Sequence, residues 1–159
     1  LKTGALIEKA ILIGANYAQI GKESIPYLST YGKNLGIIFQ IVDDILGTFG
    51  DEKITGKPTD GDIREGKRTC LLIEAINTLE GAKKEELLDI FSRTEISAED
   101  IKQVKELFMK ADVVNTCRSL ATKYYEEASE SLEKLKQILN ESEVEFFENL
   151  LKFVLERKF

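Results

Sequence analysis

A chain of 159 residues with 43% hydrophobic and 31% charged side chains has enough apolar material for a packed core, which excludes a disordered tail or a miniprotein that needs staples. The formal net charge of −6 at pH 7 is not that of a nucleic-acid binder, and no apolar run approaches the roughly 18 residues of a membrane span. There is no histidine, so histidine triads and histidine metal sites are excluded; any metal would take oxygen ligands, which suits Mg2+ or Ca2+.

The chain opens on Leu1 rather than Met, in a segment that already reads as helix, so the expectation is a start inside a larger protein. Residues 6–20, "LIEKAILIGANYAQI", repeat apolar side chains at helical spacing. Ser24 is the predicted cap of the next helix, with Pro26 in its first turn and Leu46 near its end. Residues 47–66 then lack any sustained period and are rich in Gly, Asp, Lys and Thr. A loop of that length exceeds the roughly 12–15 residues usual for structureless connections, so it is expected to carry function, with room for short helical turns.

Helices return after it. "TCLLIEAINTL" is strongly apolar and "KKEELLDIF" is short and amphipathic. Ser97 with Asp100 predicts a capping box opening one helix, a long amphipathic stretch starts at Asp112, and Ser142 with Glu145 predicts a second box opening the last helix. No segment alternates with a two-residue period, and there is no internal repeat or linker. The fold class is therefore all-α, with residues 1–159 as part of one domain. Cys70 and Cys117 fit no metal or redox spacing and read as buried free thiols, which predicts a reducing, cytoplasmic location.

The chemistry concentrates in residues 39–69, "FQIVDDILGTFGDEKITGKPTDGDIREGKRT". On a helix, Gly36, Gln40, Asp43, Asp44 and Gly47 share one stripe, while Ile37, Ile38, Phe39, Ile41, Val42, Ile45 and Leu46 make the other faces apolar. Ionised carboxylates in such a helix need a partner or a metal. Mg2+ commonly takes one or two carboxylates, keeps waters and completes its shell with substrate phosphate oxygens. Lys53, Lys57, Arg64, Lys67 and Arg68 follow at once, as phosphate neutralisation requires, and the intervening glycines let backbone approach a ligand. The local logic is a Mg2+–diphosphate site at the end of a helix. The plainer alternative is a solvated pair of aspartates bridged to Lys57 or Arg64.

This stretch resembles the second aspartate-rich region of the trans-isoprenyl diphosphate synthases (polyprenyl synthetases), and "LKTGALIEKAILIGA" resembles that family's Lys-Thr segment at a compatible distance upstream. The resemblance is specific over about residues 1–75 and is closest to geranylgeranyl-type synthases; the later helices carry no diagnostic motif. It implies an all-α isoprenoid synthase helical bundle around a deep cavity. Two aspartate-rich motifs face each other across its mouth and hold Mg2+ against an allylic diphosphate. Metal-assisted loss of diphosphate leaves an allylic cation, which isopentenyl diphosphate attacks before a proton is lost. By the same resemblance Asp43 and Asp44 are metal ligands. Lys57 and Lys67 hold the allylic diphosphate. Gln40, Lys2 and Thr3 lie near the reacting centre, and Phe39 near the isopentenyl group. Asp62 is a supporting aspartate for the lysines or for metal-bound water.

Two departures from the family pattern stand out. Gly47 occupies the last position of the DDxxD pattern, which removes one candidate ligand. No first aspartate-rich motif is present, and Leu1 immediately precedes Lys2. The expectation is the C-terminal half of a chain-elongating prenyltransferase, inactive by itself, that works as a homodimer or with its missing N-terminal half. Its expected substrates are allylic and isopentenyl diphosphates, with no nucleic-acid partner. The alternatives are a non-catalytic helical subunit that modulates a complete synthase, and a terpene cyclase. Buried carboxylates argue against the first and the GK…DIREGK loop against the second.

Overall fold

Apolar side chains at helical spacing fold into eight α-helices among the described residues. The computed structural model describes residues 2–51, 56 and 59–157, the side chain of Lys2 excepted, and contains no strand among them. The helices are α1 (Lys2–Tyr17), α2 (Ile25–Phe49), α3 (Gly61–Arg64), α4 (Cys70–Thr78), α5 (Gly81–Ser92), α6 (Ala98–Lys110), α7 (Val113–Leu135) and α8 (Glu141–Glu156). The all-α expectation is met. No helix among the described residues is long and apolar enough to cross a membrane.

The chain groups into two compact units. Among the described residues, one comprises 2–42 and 120–157 and the other those within 43–119. In the first, α1 lies antiparallel on α2. A Cβ at Gly36 would sit 2.3 Å from the Gly4 Cα, and one at Gly32 would sit 3.0 Å from the Glu8 Cα, so glycine is what lets the two backbones meet. Glu8 also accepts a 2.7 Å hydrogen bond from the Ser29 hydroxyl, which holds its carboxyl below the usual range. Tyr31 is fully buried and donates to the Phe147 carbonyl at 2.8 Å, with its ring edge-on to Phe147. Burial pushes the Tyr31 phenol up, so it stays neutral. In the second unit α4, α5 and α6 pack on one another and α3 packs on α6. The buried side chains there include Leu71, Leu87, Ile90, Val104, Leu107 and Phe108, each contributing roughly 1.5–3 kcal/mol by leaving water.

The predicted capping box at Ser97 and Asp100 is present, and Arg93 pairs with the same carboxylate. Two other cap expectations need correction. Ser24 ends a short 3-10 turn, Lys22–Ser24, and its buried hydroxyl has no hydrogen-bond partner, so it does not cap α2. The box that opens α8 is Asn140 with Glu143 rather than Ser142 with Glu145. The Ser142 hydroxyl instead donates to Asn140 Oδ1. The thiols are free as expected, but only Cys117 is fully buried; Cys70 is half-buried.

Candidate active site

Helix α2 carries three of the polar residues singled out from the sequence. Its apolar faces hold Leu35, Ile38, Ile41, Val42 and Ile45 in the interior and thereby orient the stripe of Gln40, Asp43 and Asp44. The helix runs three residues past Leu46, to Phe49, so both aspartates lie within it rather than at its end. The two carboxylates differ. Asp43 is exposed and makes no hydrogen bond or ion pair among the described residues. Asp44 is buried at 5% exposure, and its Oδ2 accepts a 3.1 Å hydrogen bond from the Cys70 backbone N–H at the start of α4. An amide in the first turn of a helix is an orphan donor, so Asp44 satisfies it and also sits at the favourable end of the α4 dipole. The Cys70 thiol meets Cys117 and, with burial and the Asp44 charge beside it, is pushed well above the usual thiol range.

The loop after α2 returns to it through α3. Asp62 Oδ1 accepts from Lys67 Nζ at 2.8 Å, and Glu65 pairs with the same ammonium at 3.0 Å. Asp62 first and Glu65 second raise the Lys67 pKa, so this half-exposed ammonium stays charged. The ammonium has three donors and these two carboxylates take two, which leaves one for an anion. Asp62 also lies against Gly47: a Cβ there would stand 3.2 Å from Asp62 Oδ2. Further anchors are the ion pair of Asp60, the residue before α3, with Arg64 at its end and a 3.1 Å hydrogen bond from Lys105 to the buried Thr59.

In the first unit, the contact of Gly4 with Gly36 fixes the register of α1. Because the helices are antiparallel, the backbone of Lys2 and Thr3 is level with Ile38 and Ile37, in the turn of α2 before Gln40. Thr3, Phe39 and Gln40 are half-buried. The Arg157 guanidinium lies over the Phe39 ring, 5.2 Å from its centroid. No sequence signal pointed to that contact, because Arg157 lies outside every motif. Thus Lys2, Thr3, Phe39 and Gln40 gather in one unit, and Asp43, Asp44, Asp62 and Lys67 in the other. Lys57 and Lys53 lie outside the described residues.

Asp43 and Asp44 fit Mg2+ as the two carboxylates it commonly takes. Among the described residues no three acidic or thiol side chains converge closely enough to hold a metal by themselves. The remaining oxygen ligands would therefore come from water and substrate.

These features define a class first: an all-helical protein with paired aspartates on a long helix, followed by a lysine-bearing loop braced by its own acids. Residues 1–108 match the family model described as polyprenyl synthetase, and the chain belongs to that family. It is 39% identical to the geranylfarnesyl diphosphate synthase of Aeropyrum pernix over 157 residues, covering 99% of this chain and 48% of that protein. It resembles the crystal structure of geranylgeranyl pyrophosphate synthetase from Pyrococcus horikoshii Ot3 with a TM-score of 0.83 at 34% identity, over 99% of this chain and 46% of that one. A polyprenyl synthase from Caulobacter crescentus CB15, complexed with calcium and isoprenyl diphosphate, superposes with a TM-score of 0.86 at 29% identity, over 99% and 47%. The chain spans about half the length of the relatives it matches.

Proposed function

We propose that the chain is the C-terminal portion of a single isoprenyl synthase domain, which joins isopentenyl diphosphate to an allylic diphosphate to give a geranylgeranyl-type or similar product. The observation that carries this reading is the pairing of an exposed, unengaged Asp43 and a buried, amide-bound Asp44 with a charged lysine held by Asp62. Relatives named as geranylfarnesyl and geranylgeranyl diphosphate synthases support it.

In this reading Asp43 and Asp44 hold Mg2+, which when bound neutralises the charge of the departing diphosphate. Lys67, and Lys57 by resemblance, bind the diphosphate oxygens of the allylic substrate. Thr3 and Gln40 supply fixed dipoles near the reacting carbon, Lys2 offers its positive charge to the diphosphate, and Phe39 gives the isopentenyl group an apolar wall. A cytoplasmic location belongs to the same reading and is supported by the two free thiols.

The partners are allylic and isopentenyl diphosphates, together with a second copy or a polypeptide equivalent to the part of its relatives outside the matched span. Prenyl transfer from labelled isopentenyl diphosphate, with Mg2+ and allylic primers, tests the proposal. The expected result is no elongated product from the chain alone. Product should form once the N-terminal half of the Aeropyrum pernix relative is added. Product from the chain alone would contradict the half-site reading, and no product from either mixture would count against the catalytic one.

A further inference from the structure

Helix α6 buries Ile101, Val104 and Phe108, the i, i+3 and i+7 positions of an apolar stripe. The i+4 position of that stripe is Lys105, and it is half-buried. A charge among apolar neighbours needs a reason, because its desolvation costs stability unless the head group finds partners. A lysine stem lies along apolar surface while its ammonium reaches past the edge. Here Nζ donates at 3.1 Å to the hydroxyl of Thr59, 46 residues away in sequence and itself only 7% exposed. The Lys105 charge also reaches Asp60: with the Arg64 contact as the main cause, it helps hold that carboxyl below the usual range.

Helix α3 depends on such an anchor. It has four residues, far fewer than the roughly 12–15 a helix needs to be even marginally stable alone. Its own backbone bonds are local: the Arg64 amide donates to the Asp60 carbonyl and the Lys67 amide to the Asp62 carbonyl, both at 2.9 Å. Buried Ile63 and the packing of α3 on α6 hold the body of the helix, and the Lys105–Thr59 bond ties the same α6 to the residues that lead into it. We propose that Lys105 is a positioning residue of the diphosphate site: by holding Thr59 it sets where α3 presents Asp62 and Lys67, without touching the diphosphate itself. The effect on diphosphate binding rests on the reading given under the proposed function; the clamp on α3 does not.

The clamp is read without ligand, by amide hydrogen exchange on the 159-residue chain. Lys105→Met keeps the stem and removes the ammonium; Thr59→Val keeps the shape and removes the hydroxyl. Each should speed exchange at the Arg64, Glu65 and Lys67 amides at least about tenfold, while the Leu87 and Ile90 amides of α5 keep the parent's rates. Lys105→Arg and Thr59→Ser, which keep a donor and an acceptor, should stay near the parent. Unchanged exchange in α3 would overturn the clamp. So would acceleration by one common factor in α3 and α5, the mark of a general loss of stability.

The consequence for the site is read by calorimetric titration of inorganic diphosphate with Mg2+. Lys105→Met and Thr59→Val should each weaken binding at least about fivefold, the double variant no more than either alone, and Lys105→Arg should retain it. Losses that add in the double variant would show Lys105 acting on the anion directly and would overturn the positioning role. Unchanged affinity in Lys105→Met would overturn it as well. Failure of the unaltered chain to bind Mg2+ and diphosphate would overturn the functional half together with the reading it rests on, while hydrogen exchange would still decide the clamp.

Discussion

Two glycines on α2 are crowded for different reasons. Gly36, in the first unit, faces backbone: the Cβ it lacks would stand 2.3 Å from the Gly4 Cα and 3.1 Å from the Gly4 carbonyl oxygen. Gly47, in the second, faces the tip of one side chain at 3.2 Å. Backbone packed in a helix pair cannot step aside without parting the helices, whereas a carboxylate can rotate away at the price of its own hydrogen bonds. The first contact is architecture and fixes the register that brings the backbone of Lys2 and Thr3 level with Ile38 and Ile37, in the turn before Gln40. The second is an arrangement of charge.

The largest effect should separate the two. Gly36→Ala is expected to destabilise the chain by about 3 kcal/mol or more in urea unfolding, because overpacking against rigid backbone has no cheap relief. Gly47→Ala should fall within about 1 kcal/mol of the parent, since improved helix propensity offsets the displaced Asp62. Equal losses at the two positions would erase the distinction.

A smaller contrast lies between the adjacent aspartates. Asp44→Ala leaves the half-buried Cys70 amide without its acceptor and should cost about 1–3 kcal/mol. Asp43→Ala removes no hydrogen bond or ion pair among the described residues and should shift stability by less than about 0.5 kcal/mol, its whole effect falling on Mg2+-dependent diphosphate binding. Tyr31→Phe, which deletes one buried hydrogen bond in the first unit, should cost about 1 kcal/mol by the same urea measurement.

The smallest effect is one of pH. The Ser97 hydroxyl and amide, with Arg93, hold the Asp100 carboxyl below the usual carboxylate range. A group depressed in the folded state stabilises above its unfolded pKa of about 3.9, and that stabilisation fades as pH falls through the lower folded value. Asp100→Asn should therefore flatten the acid limb of a stability-against-pH curve while leaving the neutral region sloped as before. An unchanged acid limb would show that Asp100 is not depressed.

What the sequence made legible was local. The apolar period of α2, the aspartate stripe and the Ser97–Asp100 box all follow from spacings within one or two turns, and the structure contains each of them. The cap of α8 went astray because Asn140 with Glu143 and Ser142 with Glu145 satisfy the same short pattern. Local spacing cannot choose between them; the choice lies in where the helix starts. The partners of the site were out of reach for a different reason. The Cys70 amide that occupies Asp44, the Asp62 carboxylate that occupies the face of Gly47 and the Arg157 guanidinium that covers Phe39 are contacts between elements distant in sequence. Composition and period carry no record of them.

The central claim is that Asp43 and Asp44 form one metal-holding side of a diphosphate site. The most direct test is calorimetric titration of a non-ionising thiolo analogue of geranyl diphosphate into the chain, with Mg2+ and with EDTA, for the parent and for Asp43→Ala. Binding that requires Mg2+ and weakens at least about tenfold in Asp43→Ala is the result predicted, as expected for the loss of one charge-assisted contact. Binding that is indifferent to EDTA, or unchanged by Asp43→Ala, would contradict it.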